Sequence, residues 1–171
     1  MKKKALLKKL LLLLLICSNI GCDQISKSIV RKELSSQDQI KLLYDRLTLL
    51  KVENYGAFLS FGDTLPESVR FIGLSLLPLI ILGYAVYYLL TKPHPGKVYP
   101  IGLCFVIGGG IGNLYDRLLY GSVTDFLHLN LGFFQTGVFN LADVSIMIGI
   151  IMLFSRIYKN KNRPQRLNTA S

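Results

Sequence analysis

The chain has 171 residues, 51% of them hydrophobic, and a formal charge of +10. The apolar residues come in long blocks with the charges between them, which excludes an ordinary soluble globule and gives the basic excess a membrane explanation ahead of a nucleic-acid one. Cys17, Cys22 and Cys104 all sit in apolar runs and offer no disulfide framework. His94 and His128 lie far apart with no HExxH or CxxC nearby, so no metal is expected.

A spanning helix needs about 20 mostly apolar residues. The first candidate has an uncharged core from Leu10 to Gly21 between basic flanks. That core resembles a secretory signal, and Asn19-Ile20-Gly21-Cys22 resembles the lipidation motif around a lipoprotein cysteine. Three further spans follow, and Asn19 suits that motif poorly, so an uncleaved helix over about 5–22 is the better reading. The external segment 23–70 comes next. Residues 29–50 mix charge with apolar positions, and Leu49 to Phe61 is rich in β-branched and aromatic residues. A small strand-and-turn unit with an interfacial helix is expected there. Further spans are expected at 71–90, 98–119 and 139–158, with a Pro93-His94-Pro95-Gly96 hairpin between the second and third. The stretch 120–138 reads as a loop. Residues 160–171 read as a polar, disordered tail after a single domain covering 1–159.

Charge orients these spans. Lys2, Lys3, Lys4, Lys8, Lys9, Lys92, Lys97, Arg156, Lys159, Lys161, Arg163 and Arg166 lie in three segments without Asp or Glu. The positive-inside rule places both termini and the Lys92–Lys97 turn in the cytoplasm, and the two acidic segments on the other side.

Ionisable residues at span ends are costly and mark function. Asp23 and Lys27 are four apart and can pair on one helix face. Asn113, Asp116 and Arg117 end the third span, Asn140 and Asp143 begin the fourth, and Asp125 lies between. All eight positions converge near one membrane boundary. Two close carboxylates resist double ionisation, so one keeps a proton while the other acts as a base, and together they can hydrolyse a peptide. Asp116, Asp125 and Asp143 allow three such pairs. Asp125 and Asp143 flank apolar stretches, whereas Asp116, beside Arg117, reads as a structural ion-pair partner. No GxSxG occurs, and the glycine run Gly108–Gly112 lacks the GKS or GKT of a phosphate loop; it reads as a close helix contact.

Five segments carry a resemblance: Asp23-Gln24-Ile25-Ser26-Lys27, Val52-Glu53-Asn54-Tyr55-Gly56-Ala57-Phe58, GGGIGNLYDR at Gly108–Arg117, Gly121-Ser122-Val123-Thr124-Asp125-Phe126 and Phe139-Asn140-Leu141-Ala142-Asp143. In this order, each at a membrane boundary, they resemble lipoprotein signal peptidase, also called signal peptidase II. The resemblance implies a four-helix membrane bundle with a small periplasmic β-cradle, in the bacterial inner membrane with its active site at the periplasmic face. It implies an aspartic endopeptidase with Asp125 and Asp143 as the catalytic pair. Asp23, Lys27, Asn54, Gly56, Asn113, Asp116, Arg117 and Asn140 would support them, and the 54–63 region would form part of the cradle. The implied substrate is a prolipoprotein, cut before a diacylglyceryl-modified cysteine, which would make Cys22 a fortuitous lipidation cysteine. Membrane lipids are the other expected partner; no cofactor and no nucleic acid are expected, and the chain is expected to be a monomer. The rival reading is a small membrane transporter or assembly factor whose carboxylates bind a proton or cation.

Overall fold

The structure is a computed structural model that describes residues 2–57, 62–94 and 96–161. Phe58 and the rest of 58–61, Pro95 of the expected hairpin, and the tail from 162 with Arg163 and Arg166 lie outside them. In chain order the elements are α1 (Lys2–Glu33), β1 (Gln39–Leu42), β2 (Leu47–Asn54), α2 (Glu67–Phe71), a π-helical segment (Ile72–Leu76), α3 (Leu77–Thr91), α4 (Val98–Tyr120), β3 (Val123–Asn130), β4 (Gln135–Phe139) and α5 (Leu141–Lys161). Three helical stretches, Lys3–Glu33, Glu67–Thr91 and Val98–Tyr120, are long and apolar enough to cross a membrane.

The apolar runs are helical because hydrocarbon offers the backbone no other partners. Helix α1 does not stop near residue 22. It continues to Glu33 because Asp23, Lys27 and Arg31, spaced by four, keep one charged face turned toward α4, while Arg31 and Lys32 complement the dipole at its end. Within the external segment 23–70, where an interfacial helix was expected, residues 29–50 form no separate helix. That stretch is the end of α1 followed by β1 and the start of β2.

The second span begins at Glu67 rather than at 71, and it is not uniform. Pro78 has no N–H to donate, and its ring collides with the carbonyl four residues back; the π-helical segment widens the helix just before it. Leu74 and Pro78 thereby face the cavity described below.

Helix α4 is the centre of the molecule and packs against α1, α3 and α5. Its glycine run makes this possible. A Cβ on Gly109 would strike the carbonyl oxygen of Ala142, and one on Gly112 would lie 2.6 Å from Oδ2 of Asp23. Ile107 and Cys104 are wholly buried, in a core with Leu12, Ile16 and Leu89. The outer surfaces carry Leu14, Ile80 and Ile151, each more than half exposed, as suits contact with lipid.

The stretch 120–138, expected as a loop, contributes half of a four-stranded antiparallel sheet ordered β1-β2-β3-β4. Gly121 ends α4 with φ 72° and donates its N–H to the Arg117 carbonyl at 3.1 Å, the left-handed cap that turns the chain into β3. Strands β2 and β3 pair Asn54 with Val123 and Val52 with Asp125. The expected start of the last span, Phe139, is instead the end of β4, and α5 begins at Leu141.

Candidate active site

Each carboxylate of the site is placed by a different element. Asp143 stands in the first turn of α5, where it and Asn140 cap the helix reciprocally. The Asp143 N–H donates to Asn140 Oδ1 at 3.0 Å, and the Asn140 N–H donates to Asp143 Oδ2 at 3.1 Å. A helix N-terminus favours negative charge there. Asp125 is 3% exposed on β3. Asn140 Nδ2 donates to its Oδ1 at 2.6 Å and Asn54 Nδ2 to its Oδ2 at 2.9 Å. Asn113 on α4 completes the link, donating from Nδ2 to Asp143 Oδ1 at 2.9 Å and accepting from Asn140 Nδ2 at 3.1 Å.

Asp125 and Asp143 therefore share amide partners, and neither belongs to an ion pair among the described residues. Both line a cavity of about 280 Å³ together with Asn54, Asn113, Asn140 and Arg117. Burial pushes the Asp125 carboxyl up to about 6 from an ordinary 3.8. The charge of Asp143 adds to that rise, while the Asn54 and Asn140 amides and the Lys27 charge oppose it. A pair in which one member exchanges its proton near pH 6, opening on a cavity, is equipped for general acid–base chemistry.

A second cluster adjoins the first. Lys27 Nζ lies 2.8 Å from Asp23 Oδ2 and 3.0 Å from Asp116 Oδ2, with all three side chains fully buried. Arg31 reaches Asp116 Oδ1 at 2.9 Å. Lys27 also donates to Asn113 Oδ1 at 2.9 Å, so Asn113 joins the two clusters. Asp23 Oδ1 accepts the Ala142 N–H at 2.9 Å, tying α1 to the start of α5.

All eight converging positions come together as expected, but one pairing is corrected. Asp116 is held by Lys27 and Arg31, not by Arg117. Consecutive helix residues point about 100° apart, so neighbours in sequence do not face each other. Arg117 turns the other way and donates to the Gly56 carbonyl at 3.0 Å. Gly56 is buried, and its N–H is bonded to Asn54 Oδ1 at 2.9 Å, so Asn54 and Arg117 hold the turn at 55–57 over the cavity.

Sequence reasoning missed Arg31, Gln24 and Glu53. Arg31 follows Lys27 by four and was legible once α1 was allowed to run on. Gln24 Nε2 bonds both Asp23 and Asp116. Glu53 accepts from Ser122 at 2.7 Å and from Thr124 at 2.9 Å, a cross-strand contact that no local pattern announces. Among the described residues no three His, Cys, Asp or Glu side chains stand where they could hold a metal ion.

The family model described as signal peptidase (SPase) II matches residues 15–159. The lipoprotein signal peptidase of Clostridium novyi is 34% identical over 82% of this chain and 92% of its own. That of Alteromonas mediterranea is 31% identical over 86% and 80%. A solved bacterial membrane enzyme superposes with a TM-score of 0.80 at 24% identity, over 91% of this chain and 92% of its own, and so shares the fold. Another, at 25% identity, gives 0.75 over 87% and 93%. With the motif-bearing residues assembled around one cavity and relatives matched over most of their lengths, this chain belongs to the signal peptidase II family.

Proposed function

We propose that the chain is an aspartic endopeptidase that removes signal peptides from prolipoproteins, with Asp125 and Asp143 as its catalytic pair and the bond before a diacylglyceryl-modified cysteine as its target. The observation that carries this reading is the amide-linked carboxylate pair at the cavity, without an ion pair among the described residues and with Asp125 raised to about 6.

Asp125 supplies the proton of the pair, and Asp143, at the head of α5 and accepting two hydrogen bonds, serves as the base. A water in the cavity gives a proton to Asp143 as its oxygen attacks the scissile carbonyl carbon. Asp125 gives its proton to the carbonyl oxygen. The tetrahedral intermediate collapses, the carbon–nitrogen bond breaks, and the leaving nitrogen takes the proton held by Asp143. Asp125 recovers its own proton from the collapsing hydroxyl, and both groups return to their starting states. Asn54, Asn113 and Asn140 hold the carboxylates, and Arg117 keeps Gly56 over the cavity. Asp23, Lys27 and Asp116 fix α1 to α4 behind it.

The topology goes with this mechanism. Helix α5, 21 residues long with an apolar exposed face, is the fourth span. The twelve basic residues of the three charged segments mark the cytoplasmic side of the bacterial inner membrane, which puts the sheet and the cavity at the periplasmic face. A monomer suffices, because one chain supplies every group. Two acyl chains on the substrate cysteine would hold the scissile bond at the depth of the pair, with each buried CH₂ contributing about 0.8 kcal/mol.

The test compares the lipidated and unlipidated forms of one prolipoprotein, with purified enzyme in one detergent, at equal subsaturating concentrations. The lipidated form should be cut far faster and after extensive chelation alike. Equal rates would mean that the lipid is not read. Loss on chelation with recovery on zinc addition would refute the carboxylate mechanism.

A further inference from the structure

The sheet ends in two turns that lie side by side. Residues 43–46 join β1 to β2, and residues 131–134 join β3 to β4. Leu47 pairs with Leu129, and the Asn130 N–H donates to the Arg46 carbonyl at 2.8 Å. Both turns thus share the end of the sheet opposite to Asn54 and Val123. Their tips are apolar and bare, with Phe133 94% and Tyr44 101% exposed and Leu43, Leu131 and Phe134 close by. The first turn is also strained. Leu43, Tyr44 and Asp45 have φ of 52°, 57° and 63°, three consecutive left-handed residues without a glycine. Nothing within the described chain covers the side chains they project.

Position identifies what covers them. Phe134 shares one apolar groove with Val138 of β4 and with Met147, Ile148 and Ile151 of α5. At about 1.5 Å per residue, Met147 to Ile151 lie roughly 9–15 Å along α5 from its start. The β3–β4 turn therefore sits beside the flank of that helix, on the same exposed apolar face that carries Ile151 and Phe154. Arg46 closes the neighbouring turn, and Lys41, paired with Asp45 at 3.6 Å, stands next to it. Such basic side chains can reach headgroup phosphates while their stems lie in apolar surroundings.

We propose that these paired turns insert into the outer leaflet and that their partner is the phospholipid bilayer itself. The proposal rests on α5 being a span. Its consequence for the site is mechanical. Asp125 lies on the strand that ends at the tip, whereas Asp143 lies on α5, so lipid contact at the tip sets the height and tilt of one carboxylate against the other.

The chain contains no tryptophan, so a single introduced one reports without background. Phe133→Trp, Tyr44→Trp, Ile151→Trp and Gln37→Trp would each be purified and placed in nanodiscs of phosphatidylcholine and phosphatidylglycerol with brominated acyl chains. Residues 133, 44 and 151 should lose most of their emission to the bromines and resist aqueous acrylamide. Residue 37, at the other end of β1, should do the reverse. Quenching by acrylamide rather than bromine at 133 or 44, with 151 quenched by bromine, overturns the insertion and leaves the peptidase reading standing. Failure of bromine to quench 151 removes α5 as a span and overturns both the insertion and the four-span topology. Protection of 133 and 44 only in a cross-linkable dimer assigns the tips to a second copy and also overturns it. The measurement needs no substrate, so it is independent of the cleavage assay.

Discussion

The two carboxylate clusters lie one asparagine apart and are wired in opposite ways. Around Asp23 and Asp116 stand Lys27 and Arg31, two cations for two anions, and every side chain but that of Arg31 is fully buried. Around Asp125 and Asp143 the hydrogen-bond partners are amides. A carboxylate locked to a buried cation is fixed in charge, since either protonation or loss of its partner leaves an uncompensated ion. A carboxylate held by amides can change charge without breaking its geometry. Both clusters bury acidic residues at the same end of the bundle, yet one holds them with cations and the other with amides.

The comparison breaks most sharply at the amide-held pair. Asp125→Asn and Asp143→Asn should each lower cleavage by about 10²–10⁴-fold, the range of acid–base contributions, while the purified protein unfolds near the parental temperature. Substantial turnover by either variant would remove it from the pair. At the cation-locked cluster the balance should reverse. Lys27→Met leaves Asp23 and Asp116 facing each other without their shared cation, at a cost of about 3–5 kcal/mol. A large fall in unfolding temperature in detergent should accompany any loss of activity, and unchanged stability would show the cluster to be dispensable to the fold. The smallest effect concerns pH. The Asp125 carboxyl is raised from 3.8 to about 6, so the folded state binds more protons than the unfolded chain between those values. Stability should rise as pH falls through that window, and kcat/KM should decline as pH climbs above about 6 and Asp125 gives up its proton. A profile flat from pH 5 to 8 in the same detergent would contradict the assignment of the resting proton to Asp125.

Much of this was legible because hydropathy and spacing act locally. Three apolar runs became the helices Glu67–Thr91, Val98–Tyr120 and Leu141–Lys161 within a few residues, and the Asp23–Lys27 pair followed from helical periodicity alone. Spacing could not choose among Asp116, Asp125 and Asp143, because the choice depends on which cation each meets across the bundle. It also gave Asp116 the wrong partner, since Arg117 is adjacent in sequence but turned toward Gly56. Strands β3 and β4 were read as loop because much of what they pair with lies elsewhere in the chain. Asp125 opposes Val52 across the sheet, a register that exists only once residues more than seventy positions apart have met. The π-helical segment before Pro78 was foreseeable in cause but not in form, as proline fixes the missing donor and leaves the helix to decide how to widen.

The locked cluster also constrains how the chain is assembled. Helix α1 is synthesised first and carries Asp23, Lys27 and Arg31 on one face, a surplus of one positive charge toward its C-terminal end. The balancing anion, Asp116, is made only when α4 emerges, nearly ninety residues later in synthesis. Until then α1 holds a polar face that lipid does not accept, and Gly112, with no room for a side chain against Asp23, is the gap through which the two helices finally close. Nascent chains halted before α4 should therefore be handed to quality-control proteases, whereas chains halted after it should already be protected. The ion pairs between α1 and α4 thus tie the first helix of the chain to one made much later.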